Sequence, residues 1–400
     1  MPTIAVLSDA PTLTTGFGRT TARIAAALGA ANLRPVCFGL KASADDVRQS
    51  SHPVWPAERG GHWTDSLAEF FAVTGADLLV LNMDAFNAVE VIAAVSAAGW
   101  RGPVLSYVVF DGLPVEQRYL DAQRSCTAVL ASSHTAAAYL RDNRVPVVGV
   151  APPGVDVAEF APHPDRSVPR SLAGVRDAVV IGVFGTNTER KQLARVIAAL
   201  PAISGGLAAA PVLYLHCRPD GYWPLVPLAA ELGVGAMLAF PVPARFDERR
   251  GVPTTTVPAP SIQLDAVAGG TWPAALSYVD RINCCDVIVN VPHSGDIEQV
   301  ILEAQACGVP LVHTDDGAVM AEAVGNGGVL LRSENVGRGR AGELVHYVSS
   351  NDIAQAVLSV LNDTGRHRHL QAAGRANARR YPWDVLQSEI CRAVEHCLGS

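Results

Sequence analysis

Three stretches of the chain combine residue types that suit a ligand rich in phosphate and hydroxyl groups. The first, PTLTTGFGRTTARI, places Gly16 and Gly18 just after an apolar run and ahead of a helical pattern. Glycines there let the backbone approach a ligand, and a helix beginning near Arg19 would aim free amides at it. A dinucleotide fingerprint would want a third glycine where Thr21 stands, so the loop reads either as a phosphate or sugar contact or as a tight turn. The second stretch, IGVFGTNTERKQLARVIAAL, sets Arg190 and Lys191 at the start of a helix that follows a strand. Two cations beside helix amides suit a diphosphate. Only Lys41 and Lys191 are lysines among 31 basic residues, so a lysine stands out more than an arginine. The third, DVIVNVPHSGDIEQVILEAQACGVPLVHT, ends a strand in Pro-His-Ser-Gly-Asp and then carries Glu303 among Ile301, Leu302 and Ala304. A carboxylate in such company needs a partner. A ribose diol offers two hydroxyls to it, and a structural helix glutamate is the plainer alternative.

Positioning these segments takes two parallel sheets. Apolar runs at 3–9, 34–40, 77–83, 103–110 and 128–133 alternate with helical patterns such as TTARIAAALGA. Continuous apolar strands separated by helices predict a parallel sheet covered on both faces. A proline-rich stretch at 152–174 reads as a linker, after which runs restart at 178–185, 212–218, 237–242, 286–291, 310–314 and 328–332. The predicted fold is α/β, with two facing Rossmann-like doubly wound domains over 1–165 and 166–381 and a terminal amphipathic helix over 382–400. The segment 244–272, rich in Pro and Thr and poorly periodic, predicts an inserted loop or lid. Ligands of such sheets bind at the carboxyl ends of the strands, which is where all three stretches fall.

At 400 residues, 49% hydrophobic and 17% charged, the chain can bury large cores and is not disordered. No uninterrupted apolar run reaches the roughly 18 residues of a spanning helix. The start MPTIAVLSDAPT reads as a strand rather than a basic leader, so a cytoplasmic protein without integral membrane contact is expected. A formal charge of −7 argues against nucleic acid as a partner. The 8 cysteines lack any CxxC pair and the 11 histidines are dispersed, so buried thiols and no metal site are expected.

With these segments in view, the chain resembles retaining GT-B glycosyltransferases of family four over nearly its whole length. The family's glycine-rich first loop, PNGVD-like linker, phosphate motif and EGFG…LEAxAxGxPV donor motif appear here as TTGFG, PPGVDVAEF, GTNTERKQ and GDIEQVILEAQACGVPLV. LEAQACGVP is the most specific match. The resemblance implies a GT-B fold whose terminal helix crosses back to the first domain. It implies a nucleotide-sugar donor on the second domain, an acceptor on the first, and transfer with retention of configuration. The co-substrate would be a UDP-sugar first, with GDP- or ADP-sugar as alternatives, and no separate cofactor.

On that resemblance Lys191 matches the lysine that neutralises the diphosphate. Arg190 stands in for the family arginine, whose place is taken by Thr186, and Asn187 belongs to the same donor motif. Glu303 matches the ribose-binding glutamate. Eight residues earlier, where the family has a glutamate for the donor-sugar hydroxyls, stands Gly295. Asp296 is expected to make that contact from a helix start. Glu298, at a family glycine position, is its competitor, disfavoured because a second anion would repel the diphosphate. The amides of Ile297 to Val300 would cradle the diphosphate and His293 would reach the sugar. In the first domain Asp111 falls near the reacting-centre histidine of the family, although Asp-Gly-Leu-Pro is also good turn chemistry. Asn82 and Asp84 are placed for acceptor hydroxyls, and His134 reads as a capping or packing residue. The expected catalytic set is Asp111, Arg190, Lys191 and Asp296. No Asp-x-Asp motif occurs, so the cations and a helix dipole would serve in place of a divalent ion. The function expected is metal-independent transfer of a sugar to a hydroxyl of a small polar acceptor. A nucleotide-sugar epimerase on the same fold and a non-catalytic nucleotide-sugar-binding homologue are the alternatives.

Overall fold

The structure, a computed structural model, describes residues 1–57, 62–241 and 271–399, with the backbone of two short strands at 245–247 and 252–254. Most of the expected inserted loop at 244–272 lies outside the described residues.

The first sheet contains β1 (Thr3–Asp9), β2 (Arg34–Leu40), β3 (Val54–Pro56), β4 (Leu78–Asp84), β5 (Val104–Val109), β6 (Ala128–Ala131) and β7 (Val147–Val150). Its spatial order is β3-β2-β1-β4-β5-β6-β7, all parallel. The second repeats the plan with β8 (Val180–Phe184), β9 (Val212–His216), β10 (Leu238–Pro241), β13 (Thr271–Trp272), β14 (Val287–Asn290), β15 (Leu311–Thr314) and β16 (Gly328–Leu331). Its order is β13-β10-β9-β8-β14-β15-β16. Between β10 and β13, β11 (Arg245–Asp247) and β12 (Val252–Thr254) pair antiparallel, and β17 (Asn335–Arg338) and β18 (Leu344–Tyr347) form a second antiparallel pair.

Burial on both faces explains the unbroken apolar runs. All seven residues of β1 are buried. Ile4 and Val6 pack with Ile24 and Leu28 of the helix Gly16–Ala30 and with Leu386 and Ile390 of the terminal helix Trp383–Gly399. Ala5 and Leu7 face the other way, onto Phe70 and Val91. The terminal helix thus covers the first sheet although the second sheet precedes it in sequence. Two Rossmann-like sheets and this returning helix make the GT-B architecture.

The strand order reverses beside β1 in the first sheet and beside β8 in the second, and a crevice opens at such points. The carboxyl ends of the two sheets face each other across it. The β17–β18 hairpin helps to set their spacing: Ala341 O accepts from Glu116 N at 2.7 Å and Leu113 O from Leu344 N at 3.2 Å.

Candidate active site

A cleft of about 760 Å³ lies between the two sheets. Gly16, Arg19, Asn82 and Asp111 line it from the first domain, and Phe184, Arg190, Lys191, His216, Tyr278 and Glu298 from the second.

Arg190 and Lys191 do not start a helix as the sequence predicts. They occupy a 3-10 turn, Glu189–Lys191, and the helix Leu193–Gly205 begins only after Gln192, which is left-handed at φ 50°. The Gln192 amide pins this turn by donating to Val291 O at 2.8 Å and His346 O at 2.9 Å. Arg190 Nη1 donates to Ser294 O at 2.8 Å and to Glu298 Oε1 at 3.0 Å. Lys191 Nζ donates to the same Glu298 oxygen. Asp111 Oδ1 lies 3.9 Å from Arg190 Nη1. Glu298 is therefore drawn into the cradle rather than kept out of it: cations that attract a phosphate also attract a carboxylate. Burial pushes its carboxyl up, but Lys191 and Arg190 outweigh burial and hold it down at about 2.

Gly295 has a steric reason. A Cβ there would lie 3.0 Å from Arg190 Nη1 and 3.2 Å from Met320 Sδ, so the guanidinium uses the room a side chain would need. Asp296 lines the cleft, and its carboxylate is bonded to the first domain. Its carboxylate accepts from Phe110 N at 3.0 Å and Ser132 Oγ at 2.7 Å, both in the first domain, and from Ile297 N at 2.6 Å. Burial outweighs these three donors and raises its carboxyl to about 6. Ile297 N is thereby spent and Ile301 N donates to Glu298 O at 2.9 Å, so of the helix Gln299–Ala306 the first residues, Gln299 and Val300, line the cleft.

Glu303 meets protein partners on both oxygens. Arg19 Nη1 donates to Oε1 from across the cleft, and Tyr278 OH donates to Oε2 at 3.0 Å. The helix that carries Arg19 begins at Gly16, not near Arg19 as the sequence predicts. Gly16 has open space around its Cβ position, but a Cβ on Gly18 would lie 2.3 Å from Leu13 O, so Gly18 serves a tight turn.

Several predicted residues stand behind the cleft wall. Asn187 braces a loop, donating to Trp223 O at 2.8 Å and accepting from Trp223 N at 3.1 Å. His293 supports Arg190 by donating its amide to Arg190 O at 2.8 Å. Asp84 caps the helix Ala85–Ala97, accepting from Asn87 N at 2.9 Å. His134 opens the helix His134–Asp142, where its backbone N–H donates to Glu322 at 3.0 Å. Asn82 faces the cleft; its amide nitrogen holds Ser8, Phe17 and Thr21, while its Oδ1 is buried without a partner.

Sequence reasoning missed an aromatic cluster in the cleft wall. Phe184 and His216 stack at 5.3 Å and 25°, with Tyr278 edge-on to both. Tyr214 OH lies 2.8 Å from His216 Nδ1, and Arg281 Nη1 donates to that hydroxyl at 3.5 Å. Burial and then Arg281 push the His216 imidazole down to about 3, so it is neutral. Phe184, His216 and Tyr278 all line the cleft, so the cluster offers aromatic surface on which a planar heterocycle can stack. Phe184 and His216 end β8 and β9, and the strand-end rule alone would have pointed to them. Gln299 was also missed: both of its amide atoms are buried without partners in the cleft wall, as are Arg19 Nε and Arg281 Nε. Polar orphans gathered on one cleft call for a polar ligand.

Among the described residues no group of three or more His, Cys, Asp or Glu is arranged to hold a metal ion. No helix among them is long and apolar enough to cross a membrane.

No family model matches the chain. A D-inositol 3-phosphate glycosyltransferase of Stackebrandtia nassauensis is 28% identical over 256 residues, which cover 62% of this chain and 48% of the relative. The chain thus spans about half the length of the curated relatives it matches. Among solved structures, Anabaena HepE in complex with UDP-glucose superposes with a TM-score of 0.70 at 18% identity, covering 99% of this chain and 100% of that one. Sucrose-phosphate synthase of Thermosynechococcus elongatus superposes with a TM-score of 0.71 at 16% identity, covering 100% of both. At these identities the superpositions establish the shared fold.

Proposed function

We propose that the chain is a cytoplasmic retaining glycosyltransferase that moves a sugar from a nucleotide-sugar donor to a hydroxyl of a small polar acceptor without a metal ion. The observation that carries this reading is the Arg190–Lys191 pair opposite Asn82 and Asp111 in a cleft between two Rossmann-like sheets. Residues 166–381 would hold the donor, residues 1–165 the acceptor, and residues 382–400 would tie back to the first domain. The base would stack against the Phe184, His216 and Tyr278 rings, the diphosphate would lie on Arg190, Lys191 and the amides of Gln299 and Val300 at the helix start, and the sugar would face Asp111. A UDP-sugar is the first candidate, in keeping with the UDP-glucose named for the HepE complex.

Chemistry follows from charge. As the bond from the sugar to the diphosphate breaks, negative charge grows on the leaving oxygen, where the two cations stabilise it. The same oxygen takes the proton of the incoming hydroxyl on the same face, which retains configuration. Asn82 and Asp111, on the first-domain wall of the cleft, would face that hydroxyl. The test is to incubate the protein with UDP-, GDP- and ADP-sugars and candidate polyols in EDTA. Release of nucleoside diphosphate with an acceptor product of unchanged anomeric configuration is expected. Activity that vanishes in EDTA and returns with magnesium or manganese would overturn the metal-independent mechanism.

A further inference from the structure

The cation cradle already contains an anion. Glu298 Oε1 accepts from Arg190 and Lys191, and Glu298 Oε2 accepts from Asn290 Nδ2 at 3.4 Å. Asp111 lies on the other side of Arg190. Two cations are thus matched by two carboxylates, in a place where a diphosphate needs positive charge. Glu298 is the residue that precedes the helix Gln299–Ala306, yet its side chain makes no capping bond to that helix. Its carboxylate is spent on the cations instead. Glycine at 295 leaves Arg190 the room to lean onto it.

We propose that Glu298 is a tethered competitor of the donor's diphosphate, a specificity-determining carboxylate that holds the cation contacts until a ligand with two phosphates replaces it. The inference rests on the donor reading above and goes beyond it. A single carboxylate or phosphate on a ligand offers the cations little that Glu298 does not already give. A diphosphate offers more charge and more acceptors, and so displaces it. After transfer, Glu298 recovers its partners and helps the nucleoside diphosphate to leave.

The experiment is calorimetric binding of UDP, GDP, inorganic pyrophosphate and uridine to the wild type, Glu298→Gln and Glu298→Gly. Loss of the competing carboxylate should tighten pyrophosphate and the preferred nucleoside diphosphate by about tenfold to a hundredfold, the range of one or two charge-assisted hydrogen bonds. Uridine affinity should not change. A gain that depends on phosphate is something a general loosening of the fold would not produce, and the near-isosteric glutamine variant keeps the fold. Equal or weaker phosphate binding in both variants would mean that Glu298 merely holds the cations in place, and would overturn the inference while leaving the donor reading intact. Failure of all three proteins to bind any phosphate ligand would overturn the donor reading, and the inference with it.

Discussion

Lys191 serves both a binding cradle and a buried ion pair, and substitution should separate the two. Removing one charge contact from a leaving group costs roughly 3–4 kcal/mol, so Lys191→Ala should lower turnover by about two to three decades. Lys191 is only 9% exposed and is bonded to Glu298. Its loss leaves the buried Glu298 carboxylate with Arg190 and Asn290 alone, which costs about 1–3 kcal/mol of stability. Adding Glu298→Gln to that variant should restore most of the stability and none of the turnover. Urea titrations and steady-state rates decide it; a variant that is unstable but fully active would remove Lys191 from the chemistry.

Asp296 shapes the pH profile. Its carboxyl titrates near 6 in the folded protein against 3.8 ordinarily, so the folded state holds the proton more tightly. The resulting stabilisation is complete below about pH 4 and is lost as pH rises through about 6, by about 3 kcal/mol in all. Asp296→Asn should flatten that part of the curve. Denaturant midpoints measured from pH 4 to 7 check this, and an unchanged slope in the variant would assign the fall to another group.

Among the elements, the terminal helix makes the most distant attachment in sequence. Ile390 is fully buried against the first sheet. Ile390→Ala should cost about 2–4 kcal/mol, the range for truncating a large core side chain. Hydrogen exchange should show the loss in β6 and in the helix Gly16–Ala30, with β8 and β14 unaffected; loss confined to the second domain would contradict the packing.

The strand pattern of both sheets was legible because their strands are buried on two faces: β1 and β2 begin and end where the apolar runs do. β3 is three residues long and β17 is mostly exposed, so neither carries an extended apolar run, whereas β7, Val-Val-Gly-Val, is apolar but sits between Pro146 and Pro152, where prolines read as a loop. The site was legible to the same depth. Strand-end placement located Asn82, Asp111, Arg190 and Lys191. It could not show which side chains meet, because Arg19 and Glu303, or Ser132 and Asp296, lie far apart in the chain and pair only through the angle between the domains. Local pattern fixes a residue's face; its partner depends on that angle.

At the scale of the whole molecule, that angle is held by bonds across the cleft. Arg19 to Glu303, and Phe110 and Ser132 to Asp296, lie at its floor. A separate tie lies outside the cleft lining. Glu322 Oε1 accepts from His134 N at 3.0 Å, and its Oε2 accepts from Thr135 N at 2.8 Å and Thr135 Oγ1 at 2.6 Å. The second domain thus places a carboxylate on the first turn of the helix His134–Asp142, where the dipole favours it. Glu322→Ala removes this tie without altering the cleft wall. The variant should populate a more open arrangement, visible as a larger radius of gyration in solution scattering. Opening admits water, so release of free sugar from the donor should rise relative to transfer. If scattering and the hydrolysis-to-transfer ratio both stay at wild-type values, the contacts at the floor and the β17–β18 hairpin suffice for closure. If the radius grows while the ratio stays fixed, water exclusion depends on the cleft floor rather than on the angle between the domains.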